Sequence, residues 1–542
     1  MRISHKSRLT TLVGAAALVV ASLSAVPAHA AAVGPICDAK VPVQTCQGTT
    51  SDGAPYVMMV PANFNGMVAL YSHGYRYNID IPAGIPVVGG YKVTNTPEPV
   101  PGGNSAVANY FLSQGIAIMG SGFARQGWNL DSAIATNAEL IDTFKKKFTT
   151  TTKVVAWGSS LGGIITQSLA EKYPTLVNAV APMCMADNIS AELATAGDFL
   201  WGLKTFFDPT IKGGNYSAGA AGNAEALGDI VKVLTVMGKL QAGVSTGAWP
   251  DSSSATGKAL AAAGVPSRSA LLLVGLMAGM PTQSAHFDSI SGPDGALKLT
   301  FPLAVSPALA VLENGANAAI LAILATQDVE LQAGGSVFDN STTDYSARVA
   351  DSAVIYNAAL SGNTAITAML GALSPANPGA PRAKATAKLT SLYATTGKIN
   401  VPTIMMTGVA DPITPAGATQ RIIDKYVDQY AAEKEAAQKA SYGKTTYQTP
   451  KQQLLAIWSV TPKTWTKFDA AGSPVTTAAA APGTNHCNFT TANYLTVAKF
   501  LVDSGKSGTI TWDGAARKAV RASKGLLVDP EFRAPLLKFY GE

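Results

Sequence analysis

Between Ala54 and Cys184 the chain alternates short apolar runs with amphipathic stretches. The runs are Tyr56–Val60, Met67–Ser72, Ile116–Gly120, Val154–Trp157 and Val177–Met183. Ser105–Gln114, Ser132–Phe148 and Leu161–Lys172 lie between or after them and carry helical spacing. Strands separated by helices in this rhythm predict βαβ units and a mostly parallel central sheet flanked by helices, an α/β fold. The rhythm stops near Asp187. From there to Lys398 the chain is rich in Ala, Leu and Gly, with helical periodicity and no clear buried-strand run. It resumes at Val401–Thr407, which enters a turn at Val409-Ala-Asp-Pro. The interruption predicts a large helical cap or lid, inserted before this late strand; an independent helical domain is the alternative. The expected divisions are therefore residues 31–186, 187–398 and 399–542, the last including a tail to Glu542. Gln429–Gly443 reads as a solvated surface helix and Ala492–Ser504 as one more helix.

The first thirty residues follow a different logic. Basic residues from Arg2 to Arg8 precede the apolar run from Leu9 to Ala21, and Ala28-His29-Ala30 offers small residues where a signal peptidase reads. This order predicts a secretory signal peptide cleaved after about Ala30, since the run is short for the roughly 20 residues a bilayer requires. Phe301–Ala325 is apolar but punctuated by Pro302, Pro307, Glu313, Asn314 and Asn317, which argues against a later membrane span. Charge adds little. There are 40 basic and 34 acidic residues; without Arg2, Lys6 and Arg8 the basic count is 37, too even to suggest a nucleic-acid partner. The even set Cys37, Cys46, Cys184 and Cys487 suits an exported protein and allows three pairings. Cys37–Cys46 is the local choice and leaves Cys184–Cys487. A zinc site lacks the CxxC spacing it would want.

The chemistry centres on Gly158-Ser159-Ser160-Leu161-Gly162, a G-x-S-x-G in which only Ser160 fits the middle position. A buried strand leads in and a helix leads out, the context of a nucleophile elbow. Serine needs a base. Beyond residue 30 the histidines are His73, His286 and His486, and only His486 satisfies the chain order Ser…Asp…His. The acid should follow a late strand. Asp411, just past Ile404–Gly408, fits best, with Asp469 as rival and an Asx-turn as its plain structural role.

With His73-Gly74-Tyr75 after an early strand, then G-x-S-x-G, then Gly408-Val-Ala-Asp411 and His486, the chain resembles the α/β-hydrolase superfamily from about Tyr56 to Ser504. The resemblance implies a secreted serine hydrolase working through an acyl-enzyme on Ser160, His486 and Asp411. The Leu161 and Tyr75 N–H groups would form the oxyanion hole, with His73 bracing that loop; Arg76 reads as a surface arginine, with contact to an acidic substrate group as the alternative. It implies no metal or organic cofactor, and a small-molecule or polymeric ester as substrate. His486-Cys487 is similar to the histidine loop of secreted tannases and feruloyl esterases, where a cystine ties that loop to the nucleophile region. Here Ser159, not cysteine, precedes the nucleophile; Cys184 is placed to reach Cys487 along the same sheet edge. The capped layout also looks like exported aminopeptidases. An exopeptidase is the alternative function and would use cap carboxylates such as Glu313, Asp328 or Glu330; a non-catalytic binding protein is the third reading.

Overall fold

The computed structural model describes residues 33–534, apart from Lys40 and residues 251–253, 293–304, 351–361, 374–384, 386–387, 390–394 and 443–446. Residues 1–32, where a signal peptide is expected, and the final residues 535–542 lie outside the described residues. Among the described residues ten strands form one sheet: β1 (Val33–Cys37), β2 (Val43–Thr49), β3 (Pro55–Pro61), β4 (Met67–Ser72), β5 (Ala117–Ser121), β6 (Lys153–Ser159), β7 (Ala179–Met183), β8 (Thr403–Gly408), β9 (Leu454–Ser459) and β10 (Leu526–Leu527). Their order is β1-β2-β3-β5-β4-β6-β7-β8-β9-β10. From β5 across to β9 the pairing is parallel; the margins β1-β2-β3-β5 and β9-β10 are antiparallel.

Helices cover both faces, which is why the central strands are apolar at nearly every position. On one face α2 (Leu130–Lys147) and α3 (Leu161–Lys172) pack Ile141, Phe144, Ile164 and Leu169 against Leu70, Val154, Ala156 and Val180. On the other lie α1 (Ser105–Ser113), α12 (Thr491–Ser507) and α13 (Gly514–Ala522), with Phe111, Val497 and Leu501 against Tyr71, Val155, Trp157 and Ile457. A fully buried large apolar side chain contributes about 1.5–3 kcal/mol. Strand β6 sends Val154 and Ala156 to one core and Val155 and Trp157 to the other, so a one-residue slip would forfeit both sets at once. That locks the register that delivers Ser160.

The chain between β7 and β8 forms α4 (Ile189–Phe206), α5 (Gly219–Gly243), α6 (Ala255–Ala262), α7 (Ser267–Met277), α8 (Ser306–Ala333), α9 (Tyr345–Val349) and α10 (Gly362–Ala372). They share a separate core built on Phe199, Leu203, Ile230, Leu272, Val274 and Ile320. Ile81, with Tyr77 and Tyr91, joins this core from the loop after β4, so the helices are held by an excursion of the sheet half as well as by one another.

Several elements depart from the sequence expectations. Residues 301–304 lie outside the described residues, but most of the apolar stretch Phe301–Ala325, read as too punctuated for a membrane span, lies in the continuous helix α8. Pro307 sits in its first turn, where a missing N–H costs nothing. Asn314 is buried and its Nδ2 donates to the Pro281 and Gln283 carbonyls, so its amide donors are met without interrupting the helix. By length and composition α8 could cross a membrane, but 67% of its apolar window is buried inside the protein. The surface helix expected at Gln429 is the exposed end of a longer α11 (Ala416–Ala440). β1, β2, β9, α13 and β10 were not anticipated.

Candidate active site

Strand β6 ends and α3 begins around Ser160, whose backbone lies at φ 60°, ψ −127°. This region is sparsely populated for a residue with a Cβ and stores strain. Glycine is required on both sides. A Cβ on Gly158 would lie 2.2 Å from the Gly162 carbonyl oxygen, and one on Gly162 would lie 2.0 Å from that of Ser72. The Ser160 N–H donates to Met183 O at 2.9 Å, tying the turn to β7. Ser160 is left 9% exposed, with Leu161 opening the helix, where the first N–H groups lack partners within it.

Asp411 and His486 arrive on two loops that run side by side. Beyond β8, Ala410 bridges Thr484 in parallel register and donates to Gly483 O at 2.8 Å. Gly483 has φ 76°, and a Cβ there would lie 2.6 Å from Ser459 O. His486 sits between Asn485 and Cys487, both with left-handed φ (58° and 51°). The imidazole places Nε2 2.7 Å from Ser160 Oγ and Nδ1 2.9 Å from Asp411 Oδ2. Asp411 is fully buried and also accepts from the N–H groups of Ile413 (2.9 Å), Thr414 (3.0 Å) and Cys487 (3.3 Å). Its Asx-turn and its contact with the imidazole are thus compatible roles of one carboxylate. Asp469, the rival, is exposed and binds the N–H groups of Ala471 and Ser473 in its own turn.

A cystine joins Cys184, at the end of β7, to Cys487; the other joins Cys37 to Cys46 across β1 and β2. Thr414 Oγ1 donates to Cys184 O at 2.8 Å, so the acid loop, the histidine loop and β7 are cross-linked within a few residues. Among the described residues the grouping with metal-ligand spacing is Asp411, His486 and Cys487, and the Cys487 sulfur is already committed to the cystine.

Gly74 lies against the nucleophile: a Cβ on it would be 3.2 Å from Ser160 Cβ and 3.7 Å from Oγ. His73 is buried, packs on the Phe123 ring and donates from Nδ1 to Gly74 O at 2.7 Å. Burial, reinforced by Arg76, pushes its pKa down to about 4, so it is neutral at pH 7. Arg76 is not the free surface arginine expected. It pairs with Glu98 at 3.0 Å, donates to Thr96 O at 2.8 Å and is largely buried. His286 stands apart from Ser160, between Glu313 (2.6 Å) and Ala478 O (3.0 Å).

The cavity over Ser160 holds roughly 750 Å³ of atom-free space, including that open to solvent. Tyr75, Trp128, Leu161, Ile189, Leu193 and Phe199 line it with Ala318, Leu321 and Ala322 of α8 and Pro412–Thr414 of the acid loop. Glu192 and Thr195 of α4 also line it. Burial, then the nearby Asp411 and Asp187 carboxylates, push the Glu192 pKa well above the ordinary carboxylate range. Neither residue was singled out in the sequence. Asp187 itself is paired with Arg421.

No family model and no curated protein matches the chain. Solved structures similar to it include feruloyl esterase B from Aspergillus oryzae, at 11% identity over 86% of this chain and 82% of that one, with a TM-score of 0.36. The rice cell wall degrading esterase LipA from Xanthomonas oryzae has 12% identity over 78% and 83%, TM-score 0.29. The acetyl xylan esterase from Aspergillus awamori has 19% identity over 25% and 50%, TM-score 0.19. Likenesses this distant leave function to be argued from the site itself.

Proposed function

We propose that the chain is an exported serine hydrolase of the α/β-hydrolase type that cleaves carboxylic esters, with the helices between β7 and β8 as its cap. The observation that carries the reading is the unbroken relay from Ser160 Oγ through His486 to a buried Asp411. His486 Nε2 is in position to take the hydroxyl proton as Oγ attacks an acyl carbon. Asp411 would hold the Nδ1–H tautomer and stabilise the imidazolium. The Leu161 and Tyr75 N–H groups would receive the oxyanion; a helix N-terminus at Leu161 and the close approach of Gly74 to Ser160 support that assignment. His486 would then activate water to release the acid, with no step requiring a cofactor.

An ester is favoured over a peptide because the cavity walls are almost wholly apolar. The three carboxylates that the sequence offered an exopeptidase for a free amino terminus are engaged elsewhere: Glu313 with His286, Asp328 with the Trp128 N–H, and Glu330 with the Asn215 and Tyr216 N–H groups; Glu192, which does line the cavity, sits among apolar walls. Export is supported by the two cystines and by the leader's composition. The native protein is expected to hydrolyse short p-nitrophenyl esters and to be labelled by a fluorophosphonate. Ser160→Ala should abolish both, and Asp411→Asn should lower kcat by about 10⁴-fold with folding retained. Faster release of p-nitroaniline from unblocked aminoacyl substrates than of p-nitrophenol would favour the peptidase; labelling that survives Ser160→Ala would end the proposal.

A further inference from the structure

Two polar side chains one turn apart on α4 face the cavity above Ser160 without partners among the described residues. Glu192 Oε1 and Thr195 Oγ1 are both buried from solvent and accept or donate no hydrogen bond. Thr195 is only 8% exposed. An unsatisfied buried polar atom costs about 1–3 kcal/mol. Nineteen such side-chain atoms occur among the described residues; what sets these two apart is that they share one helix and line the cavity over the nucleophile, which Tyr75, whose hydroxyl is another of the nineteen, lines as well. Here two occur together, and residues three apart on a helix hold their Cβ atoms about 5–6 Å from each other on one face. Both residues line the cavity that reaches the nucleophile, so a group entering it can supply the partner they lack within the protein.

The surroundings narrow the chemistry. Glu192 shares its neighbourhood with Asp411 and with Asp187, whose charge is already met by Arg421. Burial first, and then the neighbouring Asp411 and Asp187 carboxylates, raise the Glu192 pKa well above the ordinary range and so favour its protonated form, which can both donate and accept. An ammonium group would need three acceptors after complete desolvation, whereas the walls beside these two residues are carbon from Ile189, Leu193, Phe199 and Leu321. A neutral oxygen on an otherwise apolar group meets both requirements: carbon against the walls, one hydroxyl between the carboxyl and the threonine.

We propose that Glu192 and Thr195 form a specificity subsite that hydrogen-bonds a hydroxyl group carried on an otherwise apolar acyl chain or ring of the ester substrate. The subsite deepens the ester-hydrolase reading and rests on it for the substrate's identity as an ester. Its recognition step is a binding event and can be measured without turnover.

The probes are methyl phenylpropanoate and its ring-hydroxylated counterparts, titrated calorimetrically into the Ser160→Ala protein. At least one hydroxylated ester should bind about tenfold more tightly than the plain one, the worth of one well-made hydrogen bond beyond its water competitor. Adding Glu192→Leu or Thr195→Val should reduce that ratio toward one. Glu192→Gln, which keeps shape and both hydrogen-bonding roles, should preserve most of the preference. Equal affinity for all members of the series, or a ratio untouched by Glu192→Leu and Thr195→Val, overturns the proposal. So does tighter binding of an amino-substituted ester that is lost in Glu192→Gln, which would make the site a cation site. Failure of the parent reading shows differently: the hydroxyl preference persists in Ser160→Ala, but the native protein neither turns the esters over nor takes a fluorophosphonate.

Discussion

Removing the Cys184–Cys487 cystine tests whether one covalent link both stabilises the fold and orders the proposed base. Its ends are 303 residues apart, so it closes a loop that spans the whole helical insertion. Loop-closure entropy for that length corresponds to about 5.7 kcal/mol at 25 °C, against about 2.6 kcal/mol for the nine-residue separation of Cys37 and Cys46. Residual structure in the unfolded chain trims the larger value to about 4 kcal/mol. For a chain of this size the unfolding entropy is roughly 1 kcal/mol per degree, so a Cys184→Ala/Cys487→Ala protein should melt about 4 °C lower and Cys37→Ala/Cys46→Ala about 2 °C lower. The functional effect should be more lopsided. Cys487 directly follows His486, holds a left-handed backbone and donates its N–H to Asp411, so freeing it lets the imidazole leave the Ser160–Asp411 line. We expect kcat on a p-nitrophenyl ester to fall at least about tenfold with KM nearly unchanged in the first variant, and neither to change in the second. Scanning calorimetry and steady-state kinetics on the two double variants decide it. Equal melting shifts would refute the entropic reasoning, and full kcat in Cys184→Ala/Cys487→Ala would refute the brace.

Two further outcomes follow from the site's surroundings. His73 is buried neutral with a pKa near 4 in the fold against 6.5 unfolded, so protonation favours the unfolded chain. Its contribution is complete above about pH 6.5 and is lost as the pH falls toward 4, by at most about 3 kcal/mol. His73→Gln should therefore flatten the fall in melting temperature between about pH 7 and 5, and an unchanged slope would remove His73 as the cause. Gly162→Ala would drive a Cβ to within 2.0 Å of the Ser72 carbonyl and 2.7 Å of that of His73, both backbone atoms that cannot swing aside. We expect about 1–3 kcal/mol of destabilisation by denaturant titration, with kcat more affected than stability because Leu161 N–H moves with the turn. Native-like kcat would show that the elbow tolerates a side chain there.

What could be read from the sequence, and what could not, divides along physical lines. β4, β6 and β8 were legible because a strand covered on both faces must be apolar almost throughout, and few other local structures demand that over so short a run. β2 was not, since Gln44, Thr45 and Gln47 belong to a sheet margin where only part of the strand is covered. α8 was legible as helix but not in its extent: Pro307, Glu313 and Asn314 punctuate its hydropathy in the sequence, whereas in the fold Pro307 falls in the first turn and Glu313 and Asn314 meet partners from distant loops. Ser160, Asp411 and His486 could be nominated because acyl transfer restricts both residue type and chain order; the folded chain has them in hydrogen-bonding sequence. Glu192 and Thr195 carry no such mark. In the sequence they are ordinary members of Asn188-Ile-Ser-Ala-Glu192-Leu-Ala-Thr195, and a glutamate in a helix's first turn is a favourable residue on dipole grounds alone. Their significance is a missing partner, a property that exists only once every neighbouring group has been placed. A catalytic centre is constrained by its reaction and leaves a motif; a specificity subsite is constrained by its ligand, and its trace appears only as polar atoms that the fold leaves unanswered.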